Sequence, residues 1–199
     1  MRIGIYGGSF NPPHIGHYRA ASAFASRLKL DRLLIIPTAI PPHKKLSGSI
    51  SCEKRLELSR LAFSDIPSAE VSDMEIKRGG TSYTYLTVEE LYNPSDELFL
   101  LVGTDMLLSF DTWHRFEDIF KLSTVAVVMR EDSEAVSRQI DSKIAQFSEK
   151  YGARIVRISV EPTEISSTAI RESIKRGIVP KEFLVDKTVE IIESEGLYR

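Results

Sequence analysis

His14 and His17 lie three residues apart in the run Gly7-Gly8-Ser9-Phe10-Asn11-Pro12-Pro13-His14-Ile15-Gly16-His17. A helical pattern follows, with Tyr18, Ala21, Phe24, Ala25 and Leu28 on one face. Residues three apart share a helix face, so the two imidazoles are expected side by side in the first turn. Backbone N–H groups there are unpaired and the helix dipole is positive, a combination that favours an anion. The glycines are expected to let the chain turn sharply after a short strand and let a ligand approach the main chain. Pro12 and Pro13 fix the loop and hold the helix back until His14. The chemistry this predicts is phosphate binding. A zinc pair would need further ligands at suitable spacing, and the single cysteine, Cys52, is far away in the chain.

Further clusters carry polar chemistry. In Pro41-Pro42-His43-Lys44-Lys45 the prolines restrain basic residues, which suits a phosphate contact better than a solvated surface loop. Gly79-Gly80-Thr81-Ser82-Tyr83-Thr84 opens a helix; it is either an ordinary cap or a place where exposed N–H groups receive a carboxylate. Gly103-Thr104-Asp105 follows a strand, and a carboxylate in that place can take both hydroxyls of a ribose. Trp113 is the sole tryptophan, in the polar setting Asp111-Thr112-Trp113-His114-Arg115; it suits packing or stacking on a cationic ring. Ile165-Ser166-Ser167-Thr168-Ala169-Ile170-Arg171 offers hydroxyls, helix N–H groups and a guanidinium to one polyphosphate. His114 reads as surface.

The elements that must position these clusters alternate between strand and helix. Ile3–Tyr6, Leu33–Ile36, Leu98–Val102 and Thr124–Met129 read as buried strands, Ala69–Met74 as a weaker one, and Arg154–Val160 as an alternating one. Helices are expected from Ser51 to about Phe63, over Tyr83–Tyr92, over Phe116–Leu122, from Ser133 to about Tyr151, from Ser166 to a stop at Gly177, and from about Phe183 to Glu195. The alternation predicts an α/β fold, a Rossmann-like doubly wound parallel sheet with helices on both faces. One domain over 1–199 is expected, with 160–199 as its C-terminal helical part. Ligands of such sheets bind beyond the strands' carboxyl ends, which is where the suspicious loops fall.

Net charge of −2 over 199 residues gives no global attraction to nucleic acid or to an anionic membrane, so an anionic substrate must be held locally. Hydrophobic content of 42% and charged content of 27% suit a globular protein. One cysteine excludes an intramolecular disulfide, and the N-terminus reads as a strand rather than a secretory leader. With no apolar run long enough to span a bilayer, a cytoplasmic protein is expected, with no nucleic-acid or membrane partner. Assembly of several copies is compatible with the sequence.

The first run resembles the N-terminal signature of the HxGH nucleotidyltransferase superfamily. His14-Ile15-Gly16-His17 is also similar to the ATP-site signature of class I aminoacyl-tRNA synthetases, but the chain leaves no room for an anticodon-reading domain and holds no Lys-Met-Ser-Lys-Ser-like loop. The later motifs narrow the resemblance to the bacterial nicotinate-nucleotide adenylyltransferases, over nearly the whole chain. It thins over Glu131–Glu164 and in the last helix. The resemblance implies that ATP is held by Gly7, Gly8, Ser9, Phe10, His14, His17, Gly103, Asp105, Ile165, Ser166, Ser167, Thr168 and Arg171. It implies that the mononucleotide is held by His43, Lys44, Tyr83, Thr84, Trp113 and Arg130, with Tyr83 and Thr84 telling acid from amide and Lys45 a less certain neighbour. Phe116 stands where that family often has a second tryptophan and receives no ligand role.

His14, His17, Lys44 and Arg171 are the expected catalytic set, with no protein metal site and with Mg²⁺ carried by the ATP phosphates. The expected reaction joins ATP and nicotinate mononucleotide to give nicotinate adenine dinucleotide and pyrophosphate. A phosphate nucleophile, with a second pKa of about 6, needs no activating base. Bound ATP is expected to favour a protonated His14 or His17. Acceptors such as nicotinamide mononucleotide or phosphopantetheine, and a non-catalytic nucleotide-binding regulator, are the alternatives.

Overall fold

A computed structural model describes residues 1–42, 50–129, 133–161, 163 and 165–199. Its centre is strand β1 (Arg2–Gly8), with β2 (Arg32–Pro37) and β3 (Ala69–Val71) to one side and β4 (Glu97–Gly103), β5 (Thr124–Met129) and β6 (Ile155–Ser159) to the other. The order is β3-β2-β1-β4-β5-β6 and every pairing is parallel. The winding therefore reverses between β1 and β4, the crevice where such sheets take their ligands. Register is set by apolar alternation on two buried faces: Ile5 lies between Leu34 and Leu100.

Because successive side chains point to opposite faces, a continuous apolar strand feeds two cores. Leu34, Ile36, Leu98, Leu100, Val125 and Val127 face one, closed by α4 (Thr84–Leu91), α5 (Thr104–Leu108), α6 (Phe116–Leu122) and α7 (Glu134–Tyr151) through Val88, Leu107, Ile119, Phe120, Ile140 and Phe147. Leu33, Ile35, Phe99, Leu101, Ala126 and Val128 face the other, covered by α1 (Ile15–Arg27) through Ala20, Ala21 and Phe24, and by Ala62 of α2 (Cys52–Ala62). A third cluster joins α8 (Ser167–Lys175) to α9 (Asp186–Glu195) through Ile170, Ile174, Leu184, Val189, Ile192 and Tyr198. Among the described residues no helix is long and apolar enough to cross a membrane.

Two elements differ from expectation. The third strand stops at Val71, and Met74–Arg78 forms a short helix, α3. Ser72 Oγ accepts from the Met74 N–H at 3.3 Å and Gly79, at φ 71°, stops it, so start and stop chemistry outweighs the short apolar alternation. The last helix begins at Asp186 rather than near Phe183: Lys181–Phe183 forms a separate 3-10 turn, and the chain is extended at Leu184, buried in the third cluster, and at Val185.

Tyr198 is buried in that cluster, and its hydroxyl has no hydrogen-bond partner among the described residues. Burial raises its pKa well above the usual phenol range, against an opposing pull from Arg171 and Arg55. The folded state thus keeps a proton that the unfolded chain releases above about pH 10, and stability falls as the pH rises past that point. Tyr198→Phe is expected to leave stability near pH 7 within about 1 kcal/mol and to reduce the fall in Tm between about pH 9 and about pH 11. Equal alkaline losses in the two proteins would assign the effect to another group.

Candidate active site

Beyond the carboxyl ends of β1 and β4 opens a cleft of about 890 Å³. Its wall on the β1 side is the segment Gly7–Asn11. Phe10 there adopts φ 44°, rare for a side chain of its size, and is held by its ring, 1% exposed, packed edge-on against Tyr6 and Phe63. His14 then caps α1 instead of lying inside it: its Nδ1 accepts from the Gly16 N–H at 3.2 Å. His17 reaches back, its Nδ1 accepting from the His14 N–H at 3.2 Å, so the pair forms a reciprocal capping box. The rings stand 3.8 Å apart between centroids, tilted by 35°.

This geometry decides the imidazole chemistry. Each Nδ1 accepts a backbone N–H, so each neutral ring carries its proton on Nε2. Protonating either ring would turn an N–H onto an N–H, and protonating both would bring two like charges together. The imidazolium expected with ATP bound would have to release the backbone N–H that its Nδ1 accepts here.

The adjoining wall comes from the far end of the chain. Ser166 caps α8, accepting from the Ala169 N–H at 3.1 Å. Ser167 Oγ donates to the Pro12 carbonyl at 2.8 Å, and Arg171 Nη1 donates to the Asn11 carbonyl at 2.8 Å while Nη2 reaches Thr168 Oγ1 at 3.3 Å. Ile165, Ser166, Ser167, Thr168 and Arg171 all line the same cleft as Gly7, Gly8, Ser9, Phe10, His14 and His17. Gly103 caps α5 from the end of β4, and Asp105 follows in that helix's first turn, exposed on the rim.

The remaining sector holds Tyr83 and Thr84, where α4 begins, and Trp113, all on the same cleft. Ser82 anchors this sector to the loop after β2: its Oγ accepts from the Ala39 N–H at 2.9 Å, and its N–H donates to the Ile40 carbonyl at 2.8 Å. Trp113 is half-buried with one indole face stacked on Phe110 at 4.7 Å, so packing and a place on the cleft wall coexist. Phe116 packs against Phe120 and Tyr151, in keeping with its having no ligand role. His43, Lys44, Lys45 and Arg130 lie outside the described residues.

A family described as cytidylyltransferase-like matches residues 5–173. The protein named "Probable nicotinate-nucleotide adenylyltransferase" of Shewanella woodyi is 38% identical over 209 residues, covering all of both chains. Its counterpart in Geotalea daltonii is 36% identical over 212 residues, covering 100% of this chain and 98% of that one. This chain belongs to the nicotinate-nucleotide adenylyltransferase family. The fold is shared with the solved nicotinic acid mononucleotide adenylyltransferase of Plasmodium falciparum complexed with APC, at TM-score 0.73 and 15% identity over 99% of this chain and 96% of that one.

Within this family fold, the glycines do something other than turn the chain. Gly7 and Gly8 are strand residues paired with Ile36 and Pro37, and the reversal is taken by Phe10. A Cβ on Gly8 would meet the Phe10 ring at 2.9 Å, whereas one on Gly7 would meet nothing within 4 Å. Sequence reasoning also passed over three cleft residues. His114, though exposed, stacks against Tyr83 at 4.7 Å. Buried Glu75 accepts from Thr87 Oγ1 at 2.6 Å, and Thr87 in turn accepts from Arg78 Nη1 at 3.2 Å, a network in the same sector as Tyr83 and Thr84. Reading Met74 as strand hid Glu75; no pattern marks His114.

Gly8→Ala should destabilise by about 1–3 kcal/mol, because a locked ring must move. Gly7→Ala should cost less than about 1 kcal/mol, having no such clash. Denaturant titration separates them, and equal losses would contradict the packing described. In nitrogen-15 spectra near neutral pH, both histidines should show an unprotonated Nδ1; a protonated Nδ1 on either ring would remove it from the cap.

Proposed function

We propose that this chain transfers the adenylyl group of ATP to nicotinate mononucleotide, giving nicotinate adenine dinucleotide and pyrophosphate. The observation that carries the reading is the direct bonding of α8 to the histidine loop. Arg171 holds the Asn11 carbonyl and Ser167 the Pro12 carbonyl, each at 2.8 Å, so cation, hydroxyls, helix N-termini and imidazoles share one cleft. The solved Plasmodium falciparum relatives, one complexed with APC and one with NaAD, bind a nucleotide analogue and the proposed product on the same fold.

A phosphate oxygen of the mononucleotide bonds to the α-phosphorus of ATP. The bond from that phosphorus to the oxygen bridging to the β-phosphate breaks, and pyrophosphate leaves with the electron pair. No base is needed, since the nucleophile is already mostly a dianion. The protein aligns two anions and neutralises the charge that develops on the transferred and leaving groups. His14 and His17 donate from Nε2 to the phosphates, and Arg171 and the α8 N–H groups hold the leaving end. Gly7 leaves room beside the main chain, with Gly8, Ser9 and Phe10 shaping that wall; Gly103 and Asp105 receive a ribose. Tyr83 and Thr84 meet the pyridine carboxylate and Trp113 the ring. His43, Lys44 and Arg130 join these roles on the sequence resemblance alone. ATP enters as its magnesium complex, the metal arriving on the phosphates. Residues 1–199 work as one transferase domain, and the single cysteine suits the reducing cytoplasm.

Pyrophosphate release should be measured side by side with nicotinate mononucleotide, nicotinamide mononucleotide and phosphopantetheine, and the acid mononucleotide should turn over fastest. No pyrophosphate from any of the three would refute the proposal, and a faster amide would reassign Tyr83 and Thr84. His17→Ala should lower kcat by roughly 100- to 1,000-fold, with the mononucleotide KM changed only a few-fold. Unchanged turnover would take His17 out of the mechanism.

A further inference from the structure

Arg55, in α2, is 0% exposed, yet no carboxylate pairs with it among the described residues. Its guanidinium spends its donors on main-chain carbonyls instead. Nη1 donates to Ser9 O at 2.8 Å, Nη2 donates to Thr38 O at 2.5 Å, and Nη2 also approaches Cys52 Sγ at 3.1 Å; Nε has no partner. Ser9 follows β1 and Thr38 follows β2, and both line the cleft. A side chain of similar volume and no charge would fill this space without the cost of burying a cation. The guanidinium is therefore explained by what its fork joins: two loops from neighbouring strands, at a fixed separation, with little freedom lost per bond.

We propose that Arg55 is a positioning residue for adenylyl transfer, its fork setting the spacing between the loop after β1 and the loop after β2. This rests on the function proposed above. The β1 loop carries the imidazoles that meet the nucleotide phosphates. The β2 loop runs through Thr38 to Pro41 and Pro42 on the cleft rim, where Ser82 ties it to the Tyr83–Thr84 sector. One side chain thus spans the ATP half and the mononucleotide half, and in-line attack depends on their separation.

Arg55→Lys keeps the charge but cannot bridge both carbonyls with a rigid fork; Arg55→Met keeps the bulk and loses both. In steady-state pyrophosphate assays, normalised to folded fraction by circular dichroism, kcat should fall about 10- to 100-fold in both variants. KM for each substrate should stay within about threefold, because alignment rather than binding is lost. Wild-type kcat in Arg55→Lys would overturn the inference, since charge without the fork would then suffice. So would a loss confined to KM, or failure of both variants to fold, which would make Arg55 a folding residue only. The wild type in the same assay separates the two readings: a silent wild type sinks the proposed function, whereas an active wild type beside an undiminished Arg55→Lys sinks this inference alone.

Discussion

Backbone carbonyls of one short loop accept hydrogen bonds from side chains that are remote in sequence. Ser9 O receives Arg55 from 46 residues away, Asn11 O receives Arg171 from 160 away, and Pro12 O receives Ser167 from 155 away. Free, these oxygens would face an incoming polyanion as repelling dipoles. Bound to cations and a hydroxyl, they are neutralised in place, and the loop is fixed in the conformation that puts His14 at the head of α1. Charge-assisted bonds to carbonyls are stronger than neutral ones, and the low dielectric around buried Arg55 strengthens its share. A chain of net charge −2 thereby sets a cation, Arg171, on the cleft wall.

The histidine pair extends the same economy of parts. An ordinary helix start uses serine, threonine or aspartate to satisfy its first N–H groups. Here two imidazoles do so through Nδ1, and the tautomer that results leaves each Nε2–H as a donor. Neither ring can drift without unpairing a main-chain N–H, so rotamer, tautomer and helix register are fixed together. The three-residue spacing follows from this, since cap and third helical position are the two that can satisfy each other.

What could be read from the letters depended on range. Leu33–Ile36 and Leu98–Val102 were legible as buried strands because both sheet faces are covered, and the parallel sheet followed from the alternation with helices. Ser166 and Arg171 were legible because a helix start has local chemistry. Gly7 and Gly8 were found, but the turn expected of them is taken by Phe10; Gly8 is required by a ring folding back from Phe10, which no local rule encodes. Arg55 was invisible as a candidate positioning residue, because a contact between a side chain and a carbonyl 46 positions earlier leaves no periodicity. Helix α3 was missed for the opposite reason, its brief apolar alternation suiting strand as well as helix until Ser72 and Gly79 are weighed.

The empty volume beside Gly7 has a consequence for inhibition. Its absent side chain leaves a notch against bare backbone, on the proposed nucleotide side of the cleft. On the proposed function, a small molecule that pushes a methyl-sized group into that notch would occupy space that the nucleotide would need. Escape by substitution at this position would mean adding a side chain there, and the same atoms that expel the drug would crowd out the cell's own nucleotide. On that reading, resistance at residue 7 and loss of fitness would be one and the same change.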